Sequence, residues 1–214
     1  MTVKDSQVKY WDHYYDQSVS RLVPSQFAAF VLSEFSESDC FVDFGCGNGR
    51  DSFFFSQYAE KVLAVDRSTT AIVKNTEAAV ARGCTNITFD NLDLADVSEC
   101  EAFVQRYEGQ LSKGLMYGRF LLHAIPQESE NNLLSIIRSS IGPDGKACFE
   151  FRTDRDEYQR KETEPHYRRY ISSLAFSNNV RDAGFNIEYF SEGFGYAKMR
   201  KDDAHVARFI LSKR

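Results

Sequence analysis

An alternation of strand-like and helix-length segments restricts this chain most. CFVDF (40–44), KVLAV (61–65), NITFDNL (86–92), GLMYGRF (114–120) and KACFEFR (146–152) are short apolar or β-rich runs, and segments of helical length separate them. Strands alternating with helices form βαβ units, whose right-handed crossovers build a parallel sheet covered on both faces. Local signals agree. Ser68 is placed to cap a helix over 68–82, which stops at Gly83, a residue suited to a left-handed end. Ser98 and Glu101 have the S-x-x-E form of a capping box. Leu133, Leu134, Ile137 and Ile141 share one face of a helix over 129–140, before Gly142-Pro143-Asp144-Gly145 ends it. Further helices are expected at 6–17 and 25–35. After a charged stretch (154–170) and a helix near 171–183, GFNIEYFSEG and HVARFILSKR follow with no helix between them. They read as a hairpin that adds an antiparallel strand.

No repeat and no Pro/Gly/Ser linker divides the 214 residues, so 1–214 reads as a single domain. Hydrophobic residues make up 43 % and charged residues 27 %, the balance of a soluble globule. Lys and Arg number 26 against 31 Asp and Glu, for a net charge of −5, which argues against general binding to nucleic acid. Five scattered cysteines (40, 46, 84, 100 and 148) form no C-x-x-C pair, and none has zinc spacing with histidine. No metal is expected, and a reducing compartment is. The opening MTVKDSQVKYWDHYY has no apolar signal core, and runs such as Phe53–Phe55 fall far short of the ~18 residues of a membrane span. A cytoplasmic protein is the expected reading.

The first strand runs into Asp43-Phe44-Gly45-Cys46-Gly47-Asn48-Gly49. Glycines there let the backbone turn sharply and approach a ligand, and ligands of such sheets lie beyond the strands' carboxyl ends. A dinucleotide fingerprint needs G-x-G-x-x-G, whereas position 50 is Arg, and no G-K-[ST] follows to make a phosphate loop. Asp66 ends the second strand, where a carboxylate can accept from two ribose hydroxyls, and Asp93 ends the third, where it could meet an exocyclic amine.

VDFGCGNGRDS, VLAVDRS, ITFDNLDLAD and GRFLLHAIPQ…LLSIIRSSIGPDGKACFE together resemble a class I S-adenosylmethionine-dependent methyltransferase over roughly residues 40–152. The resemblance implies an α/β fold: a Rossmann-like, seven-stranded, mostly parallel sheet with helices on both faces and an antiparallel C-terminal strand. It implies S-adenosylmethionine as cofactor. Asp43, Gly45, Cys46, Gly47, Asn48 and Gly49 would hold its methionine end, Asp66 with Arg67 beside it the ribose, and Asp93 with the Leu94 N–H the adenine. Helices within 1–36 would fold over the cofactor and bring Tyr10, Trp11 or Tyr14 to it. YWDHYY, RFLLHAI and HYRRY resemble, more loosely, methyltransferases of bacterial surface-polysaccharide modification.

The acceptor side is basic. Arg50, Arg67, Arg119 and Arg152 stand at or just after strand ends, and Glu164-Pro165-His166-Tyr167-Arg168-Arg169-Tyr170 lies in the insertion (154–170) from which a lid would come. Guanidinium forks suit carboxylate and phosphate. A small phosphate-, phosphoramidate- or carboxylate-bearing acceptor is expected on Arg119, His123, Arg152, His166, Tyr167, Arg168 and Arg169, with Arg119 and His123 nearest the chemistry. His123 could take a proton, bind an anion or serve the core. Protein or nucleic-acid methylation and a non-catalytic scaffold are the alternatives. No [DNS]-P-P-[YF] or Pro-Cys motif favours nucleic acid. Either a monomer or a homodimer fits.

Overall fold

A computed structural model describes residues 10–16, 23–162 and 166–214. Its centre is a seven-stranded sheet of order β3-β2-β1-β4-β5-β7-β6. The strands are β1 (Cys40–Phe44), β2 (Lys61–Asp66), β3 (Ile87–Asn91), β4 (Leu115–Arg119), β5 (Lys146–Arg152), β6 (Phe185–Gly193) and β7 (Val206–Lys213). All pairings among β1 to β5 are parallel, and β7 runs antiparallel to both β5 and β6. The expected fold class and the reversed last strand are both observed.

Residues 10–16 are helical (α1). The others are α2 (Gln26–Glu34), α3 (Arg50–Phe55), α4 (Thr69–Ala81), α5 (Val97–Leu111), α6 (Gln127–Ser140) and α7 (Ser173–Asp182). The remainder of the helix expected over 6–17 lies outside the described residues. Successive strand residues serve opposite faces. Val42, Phe44, Met116, Phe149 and Phe209 pack with Phe103 and Leu111 of α5, Leu133 and Ile137 of α6, and Phe176 of α7. Phe41, Leu115, Tyr117 and Cys148 pack with Phe27 and Val31 of α2 and Phe55 of α3. Both faces being covered, the inner strands read as near-continuous apolar runs.

Ser68 caps α4 through the Ala71 N–H, and Gly83 turns left-handed at φ 66° behind it. The expected capping box is corrected. Asp96, not Ser98, caps α5, accepting from the Ser98 and Glu99 N–H groups. Its carboxylate reaches both donors, so the helix begins before Ser98 can serve as a cap. Among the described residues no helix is long and apolar enough to cross a membrane, and no group of His, Cys, Asp or Glu is arranged to hold a metal.

Candidate active site

The carboxyl ends of β1, β2 and β3 meet around the glycine loop. Gly45, Gly47 and Gly49 all have positive φ, at 71°, 54° and 71°. The first two positions are also crowded. A Cβ on Gly45 would stand 2.8 Å from Leu121 Cδ1, and one on Gly47 would stand 2.7 Å from the Tyr15 hydroxyl. The Gly45 and Cys46 N–H groups donate to the Val65 carbonyl at 2.8 and 2.9 Å, which pins the loop to the end of β2. Asn75 of α4, buried, donates to the Gly47 carbonyl at 2.8 Å. Cys46 packs its side chain with Ala64 and Ile72, so only its backbone belongs to the loop surface. Asn48 Oδ1 accepts weakly from the Arg50 N–H at 3.4 Å, and Arg50 pairs with Asp51 at 3.7 Å.

Asp66 braces the same loop. One carboxylate oxygen accepts from the Gly47 N–H and the other from the Ser68 N–H, both at 2.9 Å. Burial pushes its pKa up, against the pull of those two amides and of Arg67. Asp93 lies two positions beyond the end of β3, accepts from the Ala95 N–H at 3.0 Å, and has Arg67 at 3.9 Å. Its neighbour Leu94 is buried, with its carbonyl taken by Asn132 at 2.9 Å. Arg67 thus joins the two acidic positions.

Asp43 sits behind the loop, buried, with Ser52 donating to it at 2.5 Å. Burial pushes its carboxyl up to about 8; the Ser52 hydroxyl opposes this, Asp51 and Asp66 add to it, and Arg50 opposes it. In the unfolded chain an aspartate ionises near ~3.9. Between those values the folded protein holds a proton that the unfolded chain has lost. Its contribution to stability is therefore full below about pH 4 and lost as pH rises through about 8. Thermal unfolding across that window should show a decline that Asp43→Asn flattens. Equal slopes in the two proteins would remove Asp43 as its source.

A roof covers this end of the sheet. Asp12 accepts from the Ser68 hydroxyl, and Lys74 donates to the Tyr15 and Asp16 carbonyls, so α1 is docked on the β2–α4 turn. Tyr15 stands over Gly47, and burial followed by the charge of Asp66 drives its phenol pKa well up. Tyr10 stacks on His166 with centroids 4.3 Å apart, and Trp11 meets the same imidazole edge-on at 5.1 Å. The N-terminal helix and the insertion therefore touch. Tyr14, the third expected aromatic, is exposed and packs on Tyr15 at 5.4 Å.

The arginines expected on the acceptor side have committed partners. Glu150, 0 % exposed, accepts from Arg119 on one oxygen and from Arg208 on the other, each at 2.8 Å. Arg152 is held by Asp156 and Asp202, both at 2.7 Å. Arg169 is bound to Glu130, Gln127 and the Leu122 carbonyl, and its N–H donates to the His123 carbonyl at 2.7 Å. Arg168 is half-buried near Arg152, Tyr170 and Tyr10; burial lowers its pKa. Tyr167 is half-buried in the same stretch. Phe120, at φ 57°, lies under the Arg119 guanidinium at 4.1 Å and the Arg152 guanidinium at 5.3 Å, with His123 edge-on at 5.1 Å. A left-handed Phe is strained backbone, and its N–H donates to the Glu150 carbonyl at 2.8 Å.

Four positions had escaped the sequence reading: Tyr15, Asn75, Phe120 and Glu150. Glu150 left the clearest trace, a lone carboxylate inside the apolar run KACFEFR. Asn75 left a similar one, a polar residue on the buried face of α4.

No family model matches the sequence. A curated protein of Mycobacteroides abscessus named 2-heptyl-1-hydroxyquinolin-4(1H)-one methyltransferase is 29 % identical over 100 residues, 46 % of this chain. The matched stretch spans only 40 % of that relative's length. A SAM-dependent methyltransferase from Anabaena variabilis superposes on 100 % of this chain and 96 % of its own, with a TM-score of 0.73 and 21 % identity. The chain has the class I methyltransferase fold. The CcbJ methyltransferase from Streptomyces caelestis superposes with a TM-score of 0.69 at 13 % identity, over 97 % of this chain and 98 % of its own. Within the methyltransferase fold, the glycine loop, Asp66 and Asp93 occupy three neighbouring strand ends on one side of the sheet.

Proposed function

We propose that this chain transfers a methyl group from S-adenosylmethionine to a small anionic acceptor. The convergence of the glycine loop, Asp66 and Asp93 under α1 carries the reading. The donor set fits an adenosyl group. Asp66 spends one lone pair of each oxygen on an amide, and an ionised carboxylate has about four acceptor sites, so both oxygens can still accept from a vicinal diol. Asp93 and the Leu94 N–H suit an adenine edge, Arg67 sets Asp93 in place, and Asp43 supports the loop (45–49) that would meet the methionine end. Tyr10, Trp11 and Tyr14 complete the cover.

Bound S-adenosylmethionine supplies a methyl group activated by a sulfonium. The protein's share is alignment, worth about 7–11 kcal/mol when nucleophile and electrophile are held in line. On the acceptor side two guanidiniums, Arg119 and Arg208, share the single buried carboxylate of Glu150. This excess favours a phosphate-, phosphoramidate- or carboxylate-bearing molecule, or another acidic oxygen, contacting Arg119, His123, Arg152, His166, Tyr167, Arg168 or Arg169. The name of the curated relative accords with an acidic oxygen, since its substrate bears an N-hydroxyl group. An acceptor from surface-polysaccharide synthesis is one such class.

Calorimetric titration with S-adenosylmethionine and adenosylhomocysteine tests the cofactor half of the reading; a scaffold without a working site binds neither. Label transfer to small acids, neutral sugars, RNA and protein tests the acceptor half. Arg168→Ala should raise KM for the acid about tenfold or more, the scale of one charged hydrogen bond. Equal turnover of neutral sugars would refute the anionic preference.

A further inference from the structure

His123 lies at the centre of the acceptor face, yet its ring is already engaged. The Arg152 backbone N–H donates to Nδ1 at 3.1 Å. A backbone amide can only donate, so Nδ1 holds the lone pair and the neutral ring carries its proton on Nε2. Among the described residues nothing accepts from Nε2. Arg119 from β4, Arg152 from β5, and His166 and Arg168 from the insertion surround the ring, and all four oppose a second proton, as burial does more strongly. His123 is 4 % exposed.

The carboxylates nearby are ion-paired. Glu150 is held by Arg119 and Arg208, Asp156 and one oxygen of Asp202 by Arg152, and Glu130 by Arg169, while the other Asp202 oxygen, Oδ1, is buried without a partner among the described residues. Tyr15 keeps its proton far above neutral pH.

We infer that His123 is a fixed, neutral hydrogen-bond donor and that the acceptor reaches the site already ionised at its nucleophilic oxygen. This deepens the methyl-transfer reading and rests on it. An oxyanion forms its bond to the methyl carbon as the carbon–sulfur bond breaks, and the electron pair stays on sulfur. No proton has to move. The Nε2–H and the neighbouring guanidiniums hold the anion, and a neutral alcohol, which would have to give up a proton, cannot pass it to His123. The acceptor class is therefore narrowed to oxygen acids ionised near neutral pH.

Nitrogen-15 NMR of histidine-labelled protein tests the tautomer without reference to activity. The signal lost in His123→Gln identifies the residue among four histidines. We expect an unprotonated Nδ1 and a protonated Nε2, unchanged across the interval around ~6.5 where an ordinary histidine titrates. A proton on Nδ1, or titration within that interval, would overturn the inference. His123→Gln keeps a donor and removes any base. With the acid that the label-transfer screen identifies, it should lower kcat/KM less than about tenfold; a loss of ~10²–10⁴ would be that of a general base. Failure of methyl transfer itself appears separately, as absence of cofactor binding in calorimetry, and leaves the histidine signal readable.

Discussion

Glu150→Ala should cost about 3–5 kcal/mol, because it strands two guanidiniums around a fully buried position. Against a typical total of about 5–15 kcal/mol this is a large fraction, and urea unfolding will read it directly. Arg119 and Arg208 come from β4 and β7, on either side of β5, so one carboxylate ties three neighbouring strands at the acceptor end. The same change frees the Arg119 guanidinium, which lies over the Phe120 ring. A loss below about 1 kcal/mol would mean that water reaches the guanidiniums and that the cluster is only a surface ion pair.

Asp66→Ala should abolish cofactor binding at ordinary concentrations. Two charge-assisted hydrogen bonds to a diol would be lost, at about 1.5–3 kcal/mol each, which is a loss of affinity of 100-fold or more. The Gly47 and Ser68 amides also lose their acceptor, so the loop loosens before any ligand arrives. Adenosylhomocysteine calorimetry measures the first effect, and hydrogen exchange at Gly47 and Ser68 the second. Unaltered affinity with faster exchange would reduce Asp66 to a brace.

Most of the architecture was legible in the sequence because it rests on local and periodic signals. The β-rich runs became β1 to β5, Ser68 and Gly83 delimited α4, and the absence of a helix between the last two runs gave the β6–β7 hairpin. The start of α5 was misread because two capping groups stand two residues apart and Asp96 takes the backbone donors. The glycine loop and its acidic partners were legible as residues, since their role follows from strand ends. The arginines were legible only as charges. Asp156 stands four residues from Arg152, but the other partners are distant in sequence: Glu150 lies far along the chain from Arg119, and Asp202 far from Arg152. No spacing rule links such pairs, so the sequence could show basic groups at the strand ends but not which carboxylates hold them. His123 is the sharpest case. Its role turns on a backbone amide of β5, a contact that only the packed sheet creates.

A crystal structure of the protein soaked in adenosylhomocysteine is the most direct measurement. The account predicts the ribose hydroxyls on Asp66, the adenine beside Asp93 and Leu94, and the thioether sulfur facing His123 and Arg168. A ligand-free slot filled by Tyr15, or adenosylhomocysteine bound away from the glycine loop, would contradict it.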